Sequence, residues 1–254
     1  MTAAPGGRCD IRAIDVNKSF GSHHVLRDLC MEVFHGETFV ILGASGSGKS
    51  VLLKHLAGLL SPDSGRIEIL GKDINSLAGE ELLALRRRIG MVFQSGALFN
   101  SLTVAENVAL ALEEHRLHSP QRIKEIVSEK LSLVRMEHAR DLLPEQISGG
   151  MKKRVAVART LALEPEIILF DEPTLGLDPL MARNVDDLIL DLKERVRLTS
   201  VVVTHDLASA FLVADRIGML HEGRIIAAAP PDEFRRIEDE VIQRFIGTGS
   251  TWRR

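Results

Sequence analysis

Four short apolar runs predict the centre of the molecule. They span residues 38–42, 91–93, 166–170 and 200–204, and polar residues or glycines follow them. Runs that are apolar on both faces are typical of parallel strands buried between helices. The pattern therefore predicts an α/β core.

Looser alternation near the start of the chain predicts a second sheet. Residues 11–20 and 25–42 alternate between apolar and polar positions, with a turn at His35 and Gly36, and residues 66–70 alternate cleanly. Such alternation is typical of strands that bury one face. We expect a smaller antiparallel sheet beside the core.

Strand patterns vanish over residues 95–147, where two helices are predicted. The first begins at Thr103, with Glu106 placed to complete a capping box. The second begins at Ser119, with Pro120 at its first helical position. The apolar face of the second helix carries Ile123, Ile126, Val127, Leu131 and Val134. An all-helical insert therefore divides the α/β core in sequence.

The last part of the chain is predicted to hold a helix over 207–214, a hairpin that turns at Glu222 and Gly223, and a final helix to about Ile246. The tail has no periodicity; its Trp252, Arg253 and Arg254 either fray or bind a partner.

We accordingly interpret residues 1–254 as a single domain with three parts. These are a catalytic α/β core with its β subdomain (1–94 and 155–246), a helical subdomain (95–154) and a flexible tail (247–254).

Composition and charge narrow the class of protein. A chain of 254 residues with 45% hydrophobic residues and a net charge of -3 is typical of a soluble globular protein. No overall basic field favours nucleic acid as a partner. Cys9 and Cys30 are too few and too dissimilar in setting for a disulfide framework. The sequence shows neither a signal peptide nor a membrane span, so we expect a separate subunit to cross any membrane involved.

The segment "GASGSGKS" matches the phosphate-binding P-loop, and it lies between an apolar strand and a helical pattern, as that motif requires. Its glycines let backbone N–H groups surround phosphates, its lysine can reach the outer phosphate oxygens, and its last serine can bind Mg²⁺. We expect nucleotide contacts from Gly43, Ser45, Gly46, Ser47, Gly48, Lys49, Ser50 and Val51.

Polar residues follow two further buried strands, where ligands bind in open α/β sheets. Asp171 is expected to hold the Mg²⁺, and Glu172 to orient or deprotonate an attacking water. A purely local cap or salt bridge is the alternative for Glu172. His205, at the end of the next strand, is expected to donate a hydrogen bond to the outer phosphate.

The segment "SGGMKKR" begins a helix with two glycines, each of which costs about 1 kcal/mol relative to alanine. Its cations lie near the positive end of the helix dipole. These costs are understandable if the helix start approaches an anion. For the side chains of Lys152, Lys153 and Arg154, a solvated basic face is the alternative.

These motifs, together with Gln94 after a strand and "LGLD" ending at Asp178, occur in one order along nearly the whole chain. The order resembles that of the nucleotide-binding subunits of ABC transporters. The resemblance implies that Gln94 is the catalytic and Mg²⁺-contacting Q-loop glutamine, that His205 is the switch histidine and that Asp178 is the D-loop aspartate. It further implies that Ser148, Gly149, Gly150 and Met151 form the signature motif.

Two positions depart from the pattern of that family. Met151 stands where glutamine is usual, and Phe20 takes the place of the adenine-stacking aromatic residue, usually a tyrosine. Phe20 can stack but cannot donate a hydrogen bond. Neither change removes a phosphate or metal contact.

The resemblance also implies an assembly. Two copies would pack head to tail around two ATP molecules, each bound by one copy's P-loop and the signature of the other. ATP binding would close this homodimer, and hydrolysis would open it and so drive a separate membrane permease.

The segment "QSGALFNSLTVAEN" carries Leu98, Phe99 and Leu102, which either dock onto the permease or pack within the helical insert. Together with the other motifs, this segment resembles the ATPases of the Mla/Mce lipid-transport systems. That resemblance implies phospholipid transport between bacterial membranes, a peripheral location on the cytoplasmic face of the inner membrane, and possible regulatory and lipid-binding subunits. A different importer or exporter, or a soluble assembly ATPase, remains the alternative.

Overall fold

The computed structural model describes residues 7–116 and 118–250, the side chains up to residue 247. Its strands are β1 (Cys9–Phe20), β2 (His23–Phe34), β3 (Thr38–Leu42), β4 (Ser64–Ile69), β5 (Lys72–Asp73), β6 (Ile89–Val92), β7 (Ile167–Asp171), β8 (Thr199–Thr204), β9 (Arg216–His221) and β10 (Arg224–Ala229). Its helices are α1 (Lys49–Leu56), α2 (Gly79–Arg87), α3 (Val104–Glu114), α4 (Pro120–Leu133), α5 (Gly149–Leu161), α6 (Pro179–Val196), α7 (Leu207–Val213), α8 (Pro231–Phe234) and α9 (Glu240–Ser250).

The larger sheet has the strand order β10-β9-β3-β8-β7-β6. All its pairings are parallel except that of β10 with β9. Every residue of β3, β7 and β8 is buried, because helices and the smaller sheet cover both faces. The four apolar runs thus form the strands predicted: β3 has the predicted ends, and the ends of the other three differ by at most two residues.

The smaller sheet, of order β2-β1-β4-β5, is antiparallel as predicted. Its apolar face joins a core cluster with α1 and one face of the larger sheet. On α1, Leu52, Leu53 and Leu56 are fully buried there. Burial of each such side chain contributes about 1.5–3 kcal/mol, so the helix that follows the phosphate loop is firmly anchored.

The helical insert packs α3 and α4 against α5 in the second core cluster. Both predicted helix starts are confirmed: Thr103 and Glu106 form the capping box, and the Ser119 hydroxyl accepts from the Arg122 nitrogen. α5 runs without a break across the predicted subdomain boundary at residues 154 and 155. That boundary remains a prediction, because one helix belongs to both sides of it.

The predicted hairpin is formed by β9 and β10. Beyond it the chain forms two helices, α8 and α9, where one helix was predicted. α9 continues to Ser250, so helix replaces the first part of the predicted flexible tail. Burial of Ile242 anchors the helix, and each residue added to an existing helix forms one more backbone hydrogen bond at a small cost in conformational entropy. Trp252, Arg253 and Arg254 lie outside the described residues.

Within residues 7–116 and 118–250, no helix has both the length and the apolar character that a membrane crossing needs.

Candidate active site

The phosphate loop, residues 43–48, connects β3 to α1. Gly48 has φ +103, a left-handed conformation that side-chain-bearing residues rarely adopt. A Cβ atom on Gly43 would lie 2.6 Å from the Ser47 hydroxyl and 2.7 Å from the Leu220 carbonyl oxygen. The loop can therefore take this shape only with glycine at these positions.

Lys49 begins α1 and is 6% exposed. Its Nζ donates to the carbonyl oxygens of Gly43 (2.8 Å) and Ala44 (3.1 Å), and lies 3.5 Å from Oε1 of Glu172. In the same loop the Ser47 hydroxyl is buried and has no hydrogen-bond partner among the described residues. A buried ammonium, an unmatched hydroxyl and a glycine-shaped loop at a helix start fit a bound phosphate chain.

Ser50 and Asp171 are joined directly, because the Ser50 hydroxyl donates to Oδ1 of Asp171 at 2.9 Å. Burial raises the pKa of Asp171, and the hydrogen bond from Ser50 opposes that rise. No group of three or more His, Cys, Asp or Glu in the described chain could hold a metal alone. The pair instead fits Mg²⁺, which takes few protein oxygens and completes its shell with phosphate oxygens and water.

Glu172 is held from two sides. Its Oε2 atom lies 2.9 Å from Nδ1 of His205 and accepts from the backbone nitrogen of His205 at 3.3 Å, while Oε1 faces Lys49. Both partners are distant in sequence, so a purely local cap or salt bridge does not describe these contacts. Lys49 and His205 are two residues expected at the outer phosphate, and the role of Glu172 there remains a prediction.

The backbone of Glu172 is strained, with φ +47. Its nitrogen donates to the Val203 carbonyl oxygen at 3.0 Å, which ties this turn to β8. Such strain costs on the order of 1–3 kcal/mol, persists only where neighbouring structure holds it, and clusters at functional sites. Nine other non-glycine residues of the described chain, Asp15 and Arg197 among them, also have positive φ, so the strain is compatible with a site residue but not specific to one.

The signature segment lies at the start of α5, where Ser148 caps the helix through a 3.3 Å bond from the Met151 nitrogen. Ser148 and Gly149 are exposed, whereas Gly150 is buried. A Cβ atom on Gly150 would lie 3.0 Å from Sδ of Met181. Close packing within the chain therefore accounts for part of the glycine requirement that the sequence attributed to a ligand.

In the described chain, no hydrogen bond or ion pair joins residues 148–151 to the phosphate loop. Within one copy, the described structure therefore shows no polar link between these two predicted anion-binding elements.

Lys153 is buried, so the prediction of a solvated basic face is wrong for this residue. Its Nζ donates to the backbone carbonyl oxygen of Gln94. Burial lowers the pKa of Lys153, and the charges of Asp171 and Glu172 oppose this effect. The helix that carries the signature thus holds the loop after β6.

Arg159 extends that connection by donating to the carbonyl oxygens of Ala97 (2.7 Å) and Gly96 (3.0 Å). Sequence reasoning missed the roles of Lys153 and Arg159 in this loop. The only local signal was a basic helix start. The exposed Gln94 makes no direct hydrogen bond to Ser50 or Asp171 in the described structure, so its contact with Mg²⁺ remains a prediction.

Asp178 caps α6, accepting at 3.0 Å from the backbone nitrogens of both Leu180 and Met181. Its predicted contact with a nucleotide is untested by this geometry. Phe20 is 50% exposed at the end of β1, as a stacking residue requires. Ser45 lies in the phosphate loop and Val51 lies in α1, and their contacts with a nucleotide remain predictions.

The three apolar residues after Gln94 do not share one environment. Leu98 packs against the helical core, whereas Phe99 is 53% exposed. Sequence reasoning missed Asn107, whose side chain is buried. Its Oδ1 accepts from the backbone nitrogen of Phe99, and its Nδ2 donates to the carbonyl oxygens of Phe99 and Leu102. Packing within the helical insert therefore accounts for Leu98, whereas docking of Phe99 onto a permease remains a prediction.

Comparison with known proteins identifies the family. The protein-family model described as "ABC transporter" matches residues 26–175. The protein TRIGALACTOSYLDIACYLGLYCEROL 3, chloroplastic, of Arabidopsis thaliana is 39% identical, over 98% of this chain and 80% of its own length. The intermembrane phospholipid transport system ATP-binding protein MlaF of Haemophilus influenzae is 38% identical, over 89% and 86%.

Other relatives match as well. The sulfate/thiosulfate import ATP-binding protein CysA of Synechocystis sp. is 41% identical, over 92% of this chain and 64% of its own length. The dimeric structure of a post-hydrolysis state of the ATP-binding cassette MJ0796, bound to ADP and Pi, superposes with a TM-score of 0.79. It is 34% identical, and the match covers 87% of this chain and 98% of that one.

The α/β core, the added antiparallel sheet and the helical insert are thus the ABC ATPase fold. The chain belongs to the ABC transporter family, as an ATP-hydrolysing subunit.

Proposed function

We propose that this ATPase drives phospholipid transport between bacterial membranes. The supporting observation is its 38% identity with MlaF over 89% of the chain. In this proposal the chain is peripheral, bound at the cytoplasmic face of the inner membrane to a separate permease. Regulatory and lipid-binding subunits complete the complex.

The proposed chemistry assigns a task to each side chain of the site. Lys49 and the loop bind the phosphates of ATP. Ser50, hydrogen-bonded to Asp171, would hold Mg²⁺ together with Gln94, and the charge of the ion would offset that of the phosphates. Glu172 accepts the proton of the attacking water, and His205 donates a hydrogen bond to the outer phosphate. Phe20 stacks on the adenine.

We further propose that two copies complete each site. Ser148 and Gly149 are exposed and make no hydrogen bond or ion pair to their own phosphate loop in the described structure, so they are available to a second copy. Leu180, two residues after Asp178, is 70% exposed, and Leu175 is 38% exposed. Apolar side chains so exposed on both sides of Asp178 favour an interface there. The related cassette MJ0796 is dimeric.

Phe99 is the proposed contact with the permease. It is a large exposed apolar side chain on a backbone that Asn107 holds in place, and Leu102 follows three residues later. Lys153 and Arg159 tie the same loop to α5. Movement of α5 during closure would therefore reach the docking residue.

A second candidate function is import of a small soluble anion, because CysA is 41% identical to this chain. Identity at this level reflects the shared ATPase machinery, which both kinds of transporter use. The cargo must therefore be found from the partners.

The deciding experiment is purification of the complex from its native cell in mild detergent, with subunits and lipids identified by mass spectrometry. We expect a multi-span permease and bound phospholipid. A permease with a soluble binding protein, and ATPase activity stimulated by sulfate and not by phospholipid, would support the second candidate. Isolation without any membrane protein would indicate a soluble assembly ATPase.

A further inference from the structure

The aromatic ring of Phe20 has a fixed neighbour. Because the residue is 50% exposed, packing alone does not set the orientation of its ring. Nζ of Lys18 lies over the ring, 5.6 Å from its centroid. A cation at this distance is attracted to the face of an aromatic ring. Lys18 therefore restrains Phe20 from one side and leaves the exposed part for another stacking partner.

Lys18 is itself held in place, which is unusual for a long surface side chain. Its Nζ donates to Oδ1 of Asp63 at 2.7 Å and to the Ser61 carbonyl oxygen at 3.0 Å. The Lys18 side chain is only 14% exposed. Two acceptors thus fix the ammonium group beside the ring.

Asp63 binds the same strand on both sides of Lys18. Its Oδ2 accepts from the Ser19 nitrogen at 2.7 Å, and its own nitrogen donates to the Asn17 carbonyl oxygen at 2.9 Å. The hydrogen bonds from Lys18 and then Ser19 lower the pKa of Asp63, so its carboxylate is charged near neutral pH. Lys18 is therefore enclosed by a segment that is bonded to β1 before and after it.

The segment that carries Ser61 and Asp63 follows α1, the helix that begins with Lys49. The nitrogens of Leu59 and Leu60 both donate to the Lys54 carbonyl oxygen, which fixes the chain where it leaves the helix. One short helix therefore separates the phosphate loop from the segment that holds Lys18.

We propose that Lys18, held by Asp63, positions the Phe20 ring for stacking against the adenine of ATP. This inference rests on the proposed function, in which Phe20 stacks on the base. Phenylalanine has no hydroxyl through which a hydrogen bond could orient it, so its orientation depends on such a neighbour. A cation over one face also draws on the negative electrostatic potential of the π-system, which reduces the repulsion between the other face and the π-electrons of a stacked base. Lys18 is thus a positioning residue.

The test measures binding of ATP and of tripolyphosphate, each with Mg²⁺, to the full chain by calorimetry. Lys18→Met should weaken ATP binding about 2- to 5-fold, the size expected of an exposed cation–π contact. Tripolyphosphate binding should not change, because it has no base. In the assembled complex KM for ATP should rise, with kcat within about twofold. Lys18→Arg should keep most of the ATP affinity.

A double-mutant cycle then shows whether Lys18 acts through the ring. In the Phe20→Ala background, Lys18→Met should have no further effect on ATP binding. As a matched control, Arg122→Met removes a cation from an exposed ion pair with Glu125 on α4, and should alter neither affinity. If Lys18→Met does not fold, Asp63→Asn tests the same contact, because it removes the charge that holds Lys18.

Two results separate this inference from the function on which it rests. If Phe20→Ala leaves ATP affinity unchanged, the stacking assignment fails and the inference fails with it. If Phe20→Ala weakens ATP binding but Lys18→Met does not, only the role of Lys18 is overturned. The same holds if Lys18→Met weakens ATP and tripolyphosphate equally, or if its effect persists without the ring.

Discussion

Oε2 of Glu172 lies 2.9 Å from Nδ1 of His205, although the two residues follow different strands. Glu172 follows β7 and His205 follows β8, while Lys49, near the other carboxylate oxygen, lies beyond β3. These three strands are neighbours in the larger sheet. The sheet therefore fixes one carboxylate from three strand ends.

Glu172→Gln keeps the size of the side chain but removes its capacity to accept a proton. We expect hydrolysis, followed by phosphate release, to fall about 10²- to 10⁴-fold. ATP binding should be retained, and ATP-dependent dimers should accumulate in size-exclusion chromatography with light scattering. Glu125→Gln, on the exposed surface of α4, is the control. Undiminished turnover of the Glu172 variant would exclude its role as general base.

Ser148→Arg places a bulky cation at the start of α5. We expect hydrolysis by the dimer to be abolished and ATP binding by the isolated chain to stay nearly unchanged, because Ser148 is predicted to serve the other copy. Ser119→Arg is a matched control, since Ser119 caps α4 with the same 3.3 Å bond. Each variant loses a cap worth about 1 kcal/mol. Equal loss of binding by the monomer would show that Ser148 serves its own nucleotide.

Asp171→Asn removes the charge behind Ser50. We expect the Mg²⁺ concentration for half-maximal hydrolysis to rise about 10- to 100-fold, the usual effect of losing a group that supports a metal ligand. Chelation of Mg²⁺ should abolish hydrolysis by the unaltered protein. A Mg²⁺ titration of activity checks both outcomes. An unchanged titration curve would remove Asp171 from the metal site.

Asp186 is buried on α6 and accepts a hydrogen bond from the Ser209 hydroxyl on α7. Burial is the main cause that raises the pKa of Asp186 from 3.8 to about 6. The hydrogen bond from Ser209 opposes this rise, whereas the negative charge of Asp206 adds to it. The charges of Arg183 and Asp187 have smaller effects. The folded state thus binds more protons than the unfolded state between these values. The favourable contribution of Asp186 to the free energy of unfolding is therefore fully present below pH 3.8, and it is lost as the pH rises through about 6.

Asp186→Asn should therefore increase the free energy of unfolding at pH 8 by up to about 3 kcal/mol. The difference from the unaltered protein should shrink as the pH falls below about 6 and vanish near 3.8. Urea unfolding at several pH values measures it. Asp187→Asn, at an exposed ion pair with Arg183, should change stability little. A difference that does not depend on pH would contradict the prediction.

Phe99→Ser replaces the exposed residue of the proposed docking loop. We expect loss of the permease from the purified complex and of transport, with ATP binding by the isolated chain intact. Val196→Ser, which alters another exposed apolar residue at the end of α6, should leave the complex whole. An intact complex that transports at the normal rate would place the permease contact elsewhere.

Local patterns account for the predicted part of the fold. The buried strands and capped helices carry their signals within a few residues, and these predictions are confirmed. α2 was missed although it carries a weak signal, with Glu80 and Glu81 in its first turn and Arg86 and Arg87 in its last, because Leu85 is its only buried residue in the described structure. α6 had a usable signal that was missed: Asp178 and Pro179 start it, and its buried face includes Val185 and Leu192.

Motif spacing likewise identifies the residues of the site but not the contacts that support them. Lys153 lies far from Gln94 in sequence, and Gly150 far from Met181, so only the folded chain shows that each pair meets. The same is true of Asn107, which holds its loop as a buried amide inside a helix. The roles proposed for the site residues remain predictions, because they depend on a nucleotide and a second copy.

The strand order has a consequence for synthesis of the protein on the ribosome. β3, which leads into the phosphate loop, pairs only with β8 and β9 in the described structure, and these emerge much later. At about 5–20 residues per second, this apolar strand waits on the order of ten seconds for its neighbours. During that interval the nascent chain is exposed to aggregation, so chaperone supply and codon usage over residues 43–198 should govern the yield of folded protein.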